Sequence, residues 1–383
     1  MPPRNVRICL VTHYMPPHVG GIEQVGDLLA HEYSGQGHEV TWIATAPPAT
    51  SGVERDGDIL RCRIGALNVL ERLQGMPFPI PWPAGLRTLR REIQRAQVVH
   101  IHDSLYLPSV AAAIVARRRS CPTVVTQHVG FASFGPLVDA PERLAYRTVA
   151  RAVLRSAKHV VFVSSRVRQW FARNVDAALD GVIIPNAIDT RAFLPAEPME
   201  RVAARRSLGV PVEPTVVLFA GRLVAVKNVA VLVQALGRLA GPWHALIVGD
   251  GPLRPELARL GGRLTHLPRL PHARMPEAYR AADLFVLPSV SEGLPLSLLE
   301  ALASGLPCIV SRGVSEEELS GCDAVVRVAP SVAEIAAAIS TLLGDDATRD
   351  RLRSSARAWA VRTLDPGAFG ARYLDILADA VAR

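Results

Sequence analysis

The sequence predicts an α/β protein built on two doubly wound parallel sheets, and three observations carry that reading. Short apolar runs bounded by Gly and Pro recur along the chain, the pattern of parallel strands covered on both faces. They are "VRICLVT", "HEVTWIAT", "VVHIH", "TVVTQH", "HVVFVSS" and "GVIIPN", then "TVVLFAG", "HALIVGD", "LTHLPRL", "DLFVLPS" and "LPCIVS". The stretches between them look helical, as crossovers between parallel strands must be. Finally, 383 residues exceed one ordinary core and suit two domains of about 150 to 200 residues each.

The opening "MPPRNVRICLVTHY" reads as a first buried strand, because its apolar run is too short for a signal peptide and no small-residue cleavage pattern follows. The break falls in "IIPNAIDTRAFLPAEPMERVAARRSLGVPVEPT", where Pro195, Pro198, Pro211 and Pro214 interrupt a polar stretch before a strand begins at Thr215. Domains are expected at 1–189 and 190–365, with a hinge around Asp189 to Pro195. The tail after "LDPGAFG" reads as a final helix, and 366–383 is expected to pack back on the N-terminal domain. The Pro-rich "MPFPIPWP" at 76–83 offers Phe78, Ile80 and Trp82 as an apolar loop beside a basic helix. No apolar run approaches the roughly 20 residues of a membrane span. Cys9, Cys62, Cys121, Cys308 and Cys322 are odd in number, far apart and never in C-x-x-C. That argues against a disulfide framework or zinc site and for a reducing cytoplasm.

The formal net charge is +8. Residues 1–189 hold 21 Lys plus Arg against 15 Asp plus Glu, and the remainder holds 22 against 20, so the excess is N-terminal. Arg87, Arg91 and Arg95 recur every fourth residue, as do Arg143, Arg147, Arg151 and Arg155, which predicts a basic stripe on each of two helices. Such a stripe is either a solvated face or a contact for an anionic surface, lipid head groups or a phosphate-bearing acceptor. Nucleic acid is disfavoured, since no aromatics interleave with these arginines and no nucleic-acid-binding motif is present.

In open parallel sheets, ligands bind beyond the carboxyl ends of the strands. After the first strand, Gly20 and Gly21 precede a helix whose N-terminus would favour an anion. In "FAGRLVAVKN", Arg222 and Lys227 follow a strand and Gly221, one a planar fork and the other a point charge, a pair suited to a pyrophosphate. Cations there oppose the dipole of the helix that follows. Lys227 is also one of only two lysines, with Lys158, against 41 arginines. In "LIVGDGPLRPE", Gly249 and Gly251 resemble half a dinucleotide fingerprint, but Arg254 occupies the third glycine position, so a tight turn open to a ligand remains. In "DLFVLPSVSEGLPLSLLEALASGLP", Glu292 and Gly293 lie in a loop, Pro295 suits a first helical residue, and Glu300 lies on the helix, where a carboxylate can accept from both hydroxyls of a vicinal diol. The helix-start amides of Gly293 to Leu296 point at an anion. Among the strand-end histidines, His100 and His102 share one side of their strand, and His128 is the better ligand contact. No metal-ligand spacing is present, and Asp56 and Asp58 in "ERDGD" read as a turn.

Taken together, "GGIEQV", "IIPNAID", "AGRL" with Lys227, "VGDGP" and "EGLPLSLLEALASGLP" resemble the retaining glycosyltransferases of family 4, with the GT-B fold of two Rossmann-like domains facing across a cleft. Glu292 and Glu300 meet that family's E-x7-E spacing, and the resemblance runs in order from about residue 8 to 310. It diverges in the acceptor half, notably at 50–90 and 130–180. It implies that a nucleotide-sugar is bound, with Arg222 and Lys227 on the diphosphate and Glu300 on the ribose. The Glu292, Gly293, Leu294, Pro295, Leu296 loop meets sugar and phosphates, and Gly20 and Gly21 meet the phosphates. Gly221, Gly249 and Gly251 fall on the donor side, His128 touches the donor sugar, and Glu23 and His102 fall on the acceptor side. Transfer would go with retention to a lipid-linked, polysaccharide or other hydroxyl acceptor, from a UDP- or GDP-sugar and without metal or other cofactor. Such a cytoplasmic enzyme would sit peripherally at the inner face of a membrane. The alternatives are a GT-B nucleotide-sugar 2-epimerase and a non-catalytic nucleotide-binding protein. An epimerase needs no acceptor, and a pure binding module needs no convergence of cations, diol acceptor and histidine.

Overall fold

The computed structural model describes residues 5–18, 20–68, 78–130 and 136–382; Met76 and Pro77, at the head of the Pro-rich segment, lie outside them. Two compact units emerge, Met1–Asn186 with Pro366–Arg383, and Ala187–Asp365. The division falls after Asn186 rather than after Asp189.

The first unit is a nine-stranded sheet of β1 (Arg7–Val11), β2 (Glu39–Ala46), β3 (Gly52–Asp56), β4 (Ile59–Leu67), β5 (Ile80–Pro81), β6 (Val98–His102), β7 (Thr123–Gln127), β8 (His159–Phe162) and β9 (Val182–Ile183). Its order is β3-β4-β2-β1-β6-β7-β8-β9, with β5 on β4. All neighbours are parallel except β3 and β5, each antiparallel to β4. Asp56, Gly57 and Asp58 form the turn between β3 and β4, with Gly57 at φ 58°. Asp56 pairs with Arg61 at 2.7 Å. The helix α1 (Gly21–Gly35) lies close over the sheet, since a Cβ on Gly26 would stand 3.0 Å from the fully buried Trp42. The helix Pro366–Ala382 belongs to this unit, where His159 and Asp379 pair at 2.8 Å and Thr126 donates to the Tyr373 hydroxyl at 3.3 Å.

The two arginine stripes fare differently. On α2 (Pro83–Arg95), Arg87 and Arg90 are exposed beside the exposed Leu86 and Trp82, whereas Arg91 and Arg95 reach the buried Glu92 at 2.7 and 3.4 Å. The helix α3 (Leu107–Arg118) follows β6. The second stripe does not form one free face. Its helix, α4 (Pro136–Ala145), passes through a π-helical stretch at Tyr146–Ala150 into α5 (Arg151–Ser156). Arg151 and Arg155 both engage Asp176, and Arg147 donates to the Asn174 carbonyl at the end of α6 (Ser165–Asn174). These arginines hold the chain after α6.

The second unit is a six-stranded parallel sheet of β10 (Thr215–Ala220), β11 (Trp243–Val248), β12 (Leu264–Leu267), β13 (Leu284–Leu287), β14 (Cys308–Ser311) and β15 (Val325–Val328), ordered β12-β11-β10-β13-β14-β15. This 3-2-1-4-5-6 order reverses direction between β10 and β13, where a doubly wound sheet opens its ligand crevice. Around it lie α7 (Pro198–Leu208), α8 (Val229–Leu236), α9 (Met275–Ala281), α10 (Leu296–Ala303), α11 (Val332–Leu343) and α12 (Asp346–Thr363). Phe219 and Phe285 are fully buried on the two strands flanking the reversal.

The loops leaving these strands are joined by backbone hydrogen bonds. Gly221 N donates to Val248 O, Leu223 N to Asp250 O and Leu253 N to Leu223 O, each at 2.9 Å. A Cβ on Gly249 (φ 129°) would overlap the Gly221 carbonyl oxygen, and one on Gly251 would stand 2.6 Å from that of Leu223. The neighbouring loop therefore fills the place of a side chain at both glycines. Gly249→Ala should cost about 3 kcal/mol or more in urea unfolding, whereas Gly262→Ala, with nothing within 4 Å of the new methyl, should change stability little. Equal effects would disprove the loop contact.

Candidate functional site

At the reversal of the second sheet, the loop after β10 carries Arg222 and Lys227, and the loop after β13 carries Glu292. Val290 N donates to Val226 O at 2.9 Å, joining the two loops. Lys227 ends a short 3-10 turn, Ala225–Lys227, and Asn228 follows at φ 57° before α8 begins. Its Cε runs 3.7 Å from where a Cβ on Gly221 would be, and its Nζ meets Glu292 Oε1 at 2.6 Å. Both side chains are largely covered, at 16% and 12% exposure, while Arg222 is exposed. The sequence placed Lys227 with Arg222; the structure pairs its charge with Glu292.

Pro295 is the residue before α10 rather than its first residue, and no side chain caps that helix. Ser315 Oγ donates to the Gly293 carbonyl at 3.1 Å, holding the loop, and Leu294 and Leu296 are buried beneath it. One turn on, Glu300 is 3% exposed and accepts from the Tyr279 hydroxyl on α9 at 2.6 Å through Oε2. Burial pushes its carboxyl up to about 7, against the Tyr279 hydrogen bond, which lowers it. Hydroxyls donating to the other oxygen would favour the charged form.

The first sheet also reverses, between β1 and β6, and the loops there gather a second cluster. Gly20 precedes α1, and a Cβ on it would overlap Glu23 Oε2, so the Glu23 carboxylate lies against the helix start where an anion was expected. Glu23 is buried and meets His18 Nδ1 at 2.8 Å and His13 Nε2 at 3.7 Å. Burial raises its carboxyl, but the His18 hydrogen bond and the charges of His13 and His18 bring it below its usual range. His13 and His18 escaped the sequence reading. The signal available was their spacing around "MPP" ahead of the double glycine. His13 stacks on Tyr106 with ring centres 4.0 Å apart.

The strand-end histidines form one buried row. His100 Nδ1 meets Tyr33 Oη at 3.1 Å and its Nε2 meets Thr126 Oγ1 at 2.8 Å, which marks it as a core residue. His102 Nδ1 lies 2.8 Å from His128 Nε2, so the residue assigned to the acceptor side contacts the one assigned to the donor sugar. Burial holds His128 down to about 3, and His102 well below its ordinary value, so both rings are neutral at physiological pH.

The second sheet thus brings a cation–carboxylate pair to its reversal and a buried carboxylate to the helix that follows. Model matches give the family. "Glycosyltransferase Family 4" covers residues 19–192, and "Glycosyl transferases group 1" covers 214–345. The chain is 31% identical over 320 residues to a D-inositol 3-phosphate glycosyltransferase of Xylanimonas cellulosilytica, covering 77% of this chain and 76% of that one. It is 28% identical to a GDP-mannose-dependent alpha-(1-6)-phosphatidylinositol monomannoside mannosyltransferase of Mycolicibacterium smegmatis, covering 96% and 97%. Anabaena HepE in complex with UDP-glucose superposes with TM-score 0.77 at 20% identity, covering 98% and 100%. The chain belongs to the family 4 glycosyltransferases, and it is a glycosyltransferase of GT-B fold. This membership sets aside the epimerase and the non-catalytic alternatives.

Glu300 links the site to stability. Its carboxyl is higher folded, at about 7, than the 4.5 of the free group, so its contribution is fully present below pH 4.5 and is lost as pH rises to 7. Glu300→Gln should therefore gain stability relative to the parent chain between pH 4.5 and 8, by up to about 3 kcal/mol, in urea unfolding at several pH values. A difference independent of pH would contradict the raised carboxyl.

Proposed function

We propose that the chain transfers a sugar from a UDP- or GDP-sugar to a hydroxyl acceptor, with retention at the anomeric carbon and without a metal ion. The observation that carries this reading is Lys227 held against Glu292 at the reversal of the second sheet, with the buried Glu300 on the helix that follows the Glu292 loop. Two of the similar proteins support the donor class, one by its name, which specifies GDP-mannose, and one by its bound UDP-glucose.

In this reading the diphosphate displaces Glu292 from Lys227. The bond between the anomeric carbon and the diphosphate oxygen breaks while the acceptor oxygen bonds to the same face. Charge growing on the leaving diphosphate is stabilised by Lys227, Arg222 and the uncapped amides at the start of α10. The leaving phosphate takes the acceptor's proton. Glu300 accepts from the ribose diol, and Gly293 to Leu296 hold sugar and phosphates. In the first unit, Gly20, Gly21, Glu23 and His128 lie where the chain leaves the strands of its own sheet. A lipid-linked or polysaccharide acceptor, met peripherally at the cytoplasmic face of a membrane, fits the exposed Arg87, Arg90, Leu86 and Trp82 of α2. Among the described residues no helix is long and apolar enough to cross a membrane.

A panel of nucleotide-sugars, with and without chelator, tests the donor by thermal shift and slow hydrolysis. Binding to a UDP- or GDP-sugar undiminished by chelator is expected. Failure of every member would sink the donor reading, and strict dependence on a divalent ion would sink the metal-free mechanism. Lys227→Arg keeps the charge and should lower kcat about 100-fold, while Lys158→Arg should leave it unchanged; full activity of Lys227→Arg would make the lysine incidental. Because ribose hydroxyls favour the charged form of Glu300, nucleotide affinity should fall below pH 7 by at most about tenfold per pH unit, and titration calorimetry at pH 6 to 8 would reveal it. Affinity unchanged over that range would remove Glu300 from the ribose.

A further inference from the structure

We propose that His102 is a positioning residue that fixes His128 in one ring form, donating from its Nδ1 to His128 Nε2 so that the hydrogen of His128 resides on its own Nδ1. The proposal rests on the reading above only for its consequence in catalysis; the contact itself stands on geometry. The two nitrogens are 2.8 Å apart and both rings are sealed, His102 at 0% and His128 at 5% exposure.

Between two neutral rings a single hydrogen occupies such a contact, and it has two placements. If His128 donated, His102 would carry its hydrogen on Nε2, and that atom is buried with no hydrogen-bond partner. A sealed N–H without an acceptor is the rarer and costlier kind of unpaired group. If His102 donates, the same Nε2 is a bare ring nitrogen and no N–H is stranded. The backbone of His128 is fixed independently. Its N–H donates to Asp103 Oδ1 at 2.8 Å, and the Gln127 amide nitrogen donates to the same oxygen at 2.7 Å. The ring therefore has one anchor at the main chain and one at Nε2.

The hydrogen on Nδ1 makes His128 a neutral donor toward an incoming hydroxyl oxygen and prevents that nitrogen from taking its proton. Proton removal then falls to the leaving phosphate, in agreement with retention by front-face attack. The nearby groups that act on this pair are His100, His13, Glu23 and Asp103, and none hydrogen-bonds to either ring.

The test is nitrogen-15 NMR of the full chain labelled at histidine, which reads the ring form directly and needs no substrate, with peaks assigned from His102→Asn and His128→Gln. In the parent chain both His102 and His128 should show the hydrogen on Nδ1. His102→Asn, whose amide nitrogen takes the place of Nδ1, should keep His128 in that form with kcat within about threefold. His102→Leu, which removes the donor, should give His128 a mixture of forms and lower kcat by about 10- to 100-fold with donor KM little changed. A parent spectrum with the His128 hydrogen on Nε2, or an unaltered His128 in a folded His102→Leu, would overturn the proposal. The parent spectrum decides even if a variant misfolds. If the ring forms are as stated and no donor supports transfer, the functional reading fails and the positioning contact stands.

Discussion

The second unit depends on an approach of two backbones so close that residue 249 can carry no side chain, since the Gly221 carbonyl occupies the place of its Cβ. That approach follows from the sheet. β10 and β11 are parallel neighbours in register from Thr215 with Trp243 to Ala220 with Val248, so the loops that leave them start side by side and continue the ladder by three backbone hydrogen bonds. The loop after β10 is thereby prevented from folding back, and its far end, Lys227, is delivered beside the loop after β13. A glycine with positive φ is the residue that tolerates both the conformation and the contact.

The same placement explains the charge arrangement. A largely covered cation without a counterion would be costly, and Lys227 is compensated by Glu292. The first unit does the converse, burying a carboxylate, Glu23, and compensating it with His13, His18 and the start of α1. Each cluster lies at the reversal of its own sheet, and each is internally neutralised.

The sheets were legible because buried parallel strands are written as continuous apolar runs, as in "TVVLFAG" and "DLFVLPS". The edge elements were less so. β15, "VVRV", follows a polar stretch, and β5 is two residues long. Near the sheet reversals, position after a strand was legible for Lys227, Glu292 and His128, because strand ends are where doubly wound sheets expose their loops. Partners were not legible. Lys227 and Glu292 are separated by a whole half-sheet in sequence, His102 and His128 lie on different strands, and Tyr279 reaches Glu300 from another helix. The partner of the arginines at 147–155 was not legible for the same reason: Asp176 is brought to them by the fold, and spacing of four cannot reveal a π-helical turn. The tight turn at Gly249 and Gly251 was legible, but the loop backbone at Gly221 and Leu223 that packs against them was not.

The central claim is that Lys227 receives the donor's diphosphate by exchanging it for Glu292. A crystal structure of the chain with a nucleoside diphosphate tests it most directly. The account predicts a β-phosphate oxygen within hydrogen-bond distance of Lys227 Nζ, with the 2.6 Å contact to Glu292 opened and the ribose hydroxyls on Glu300. A nucleotide bound elsewhere, or one bound with the Lys227–Glu292 pair intact, would contradict it.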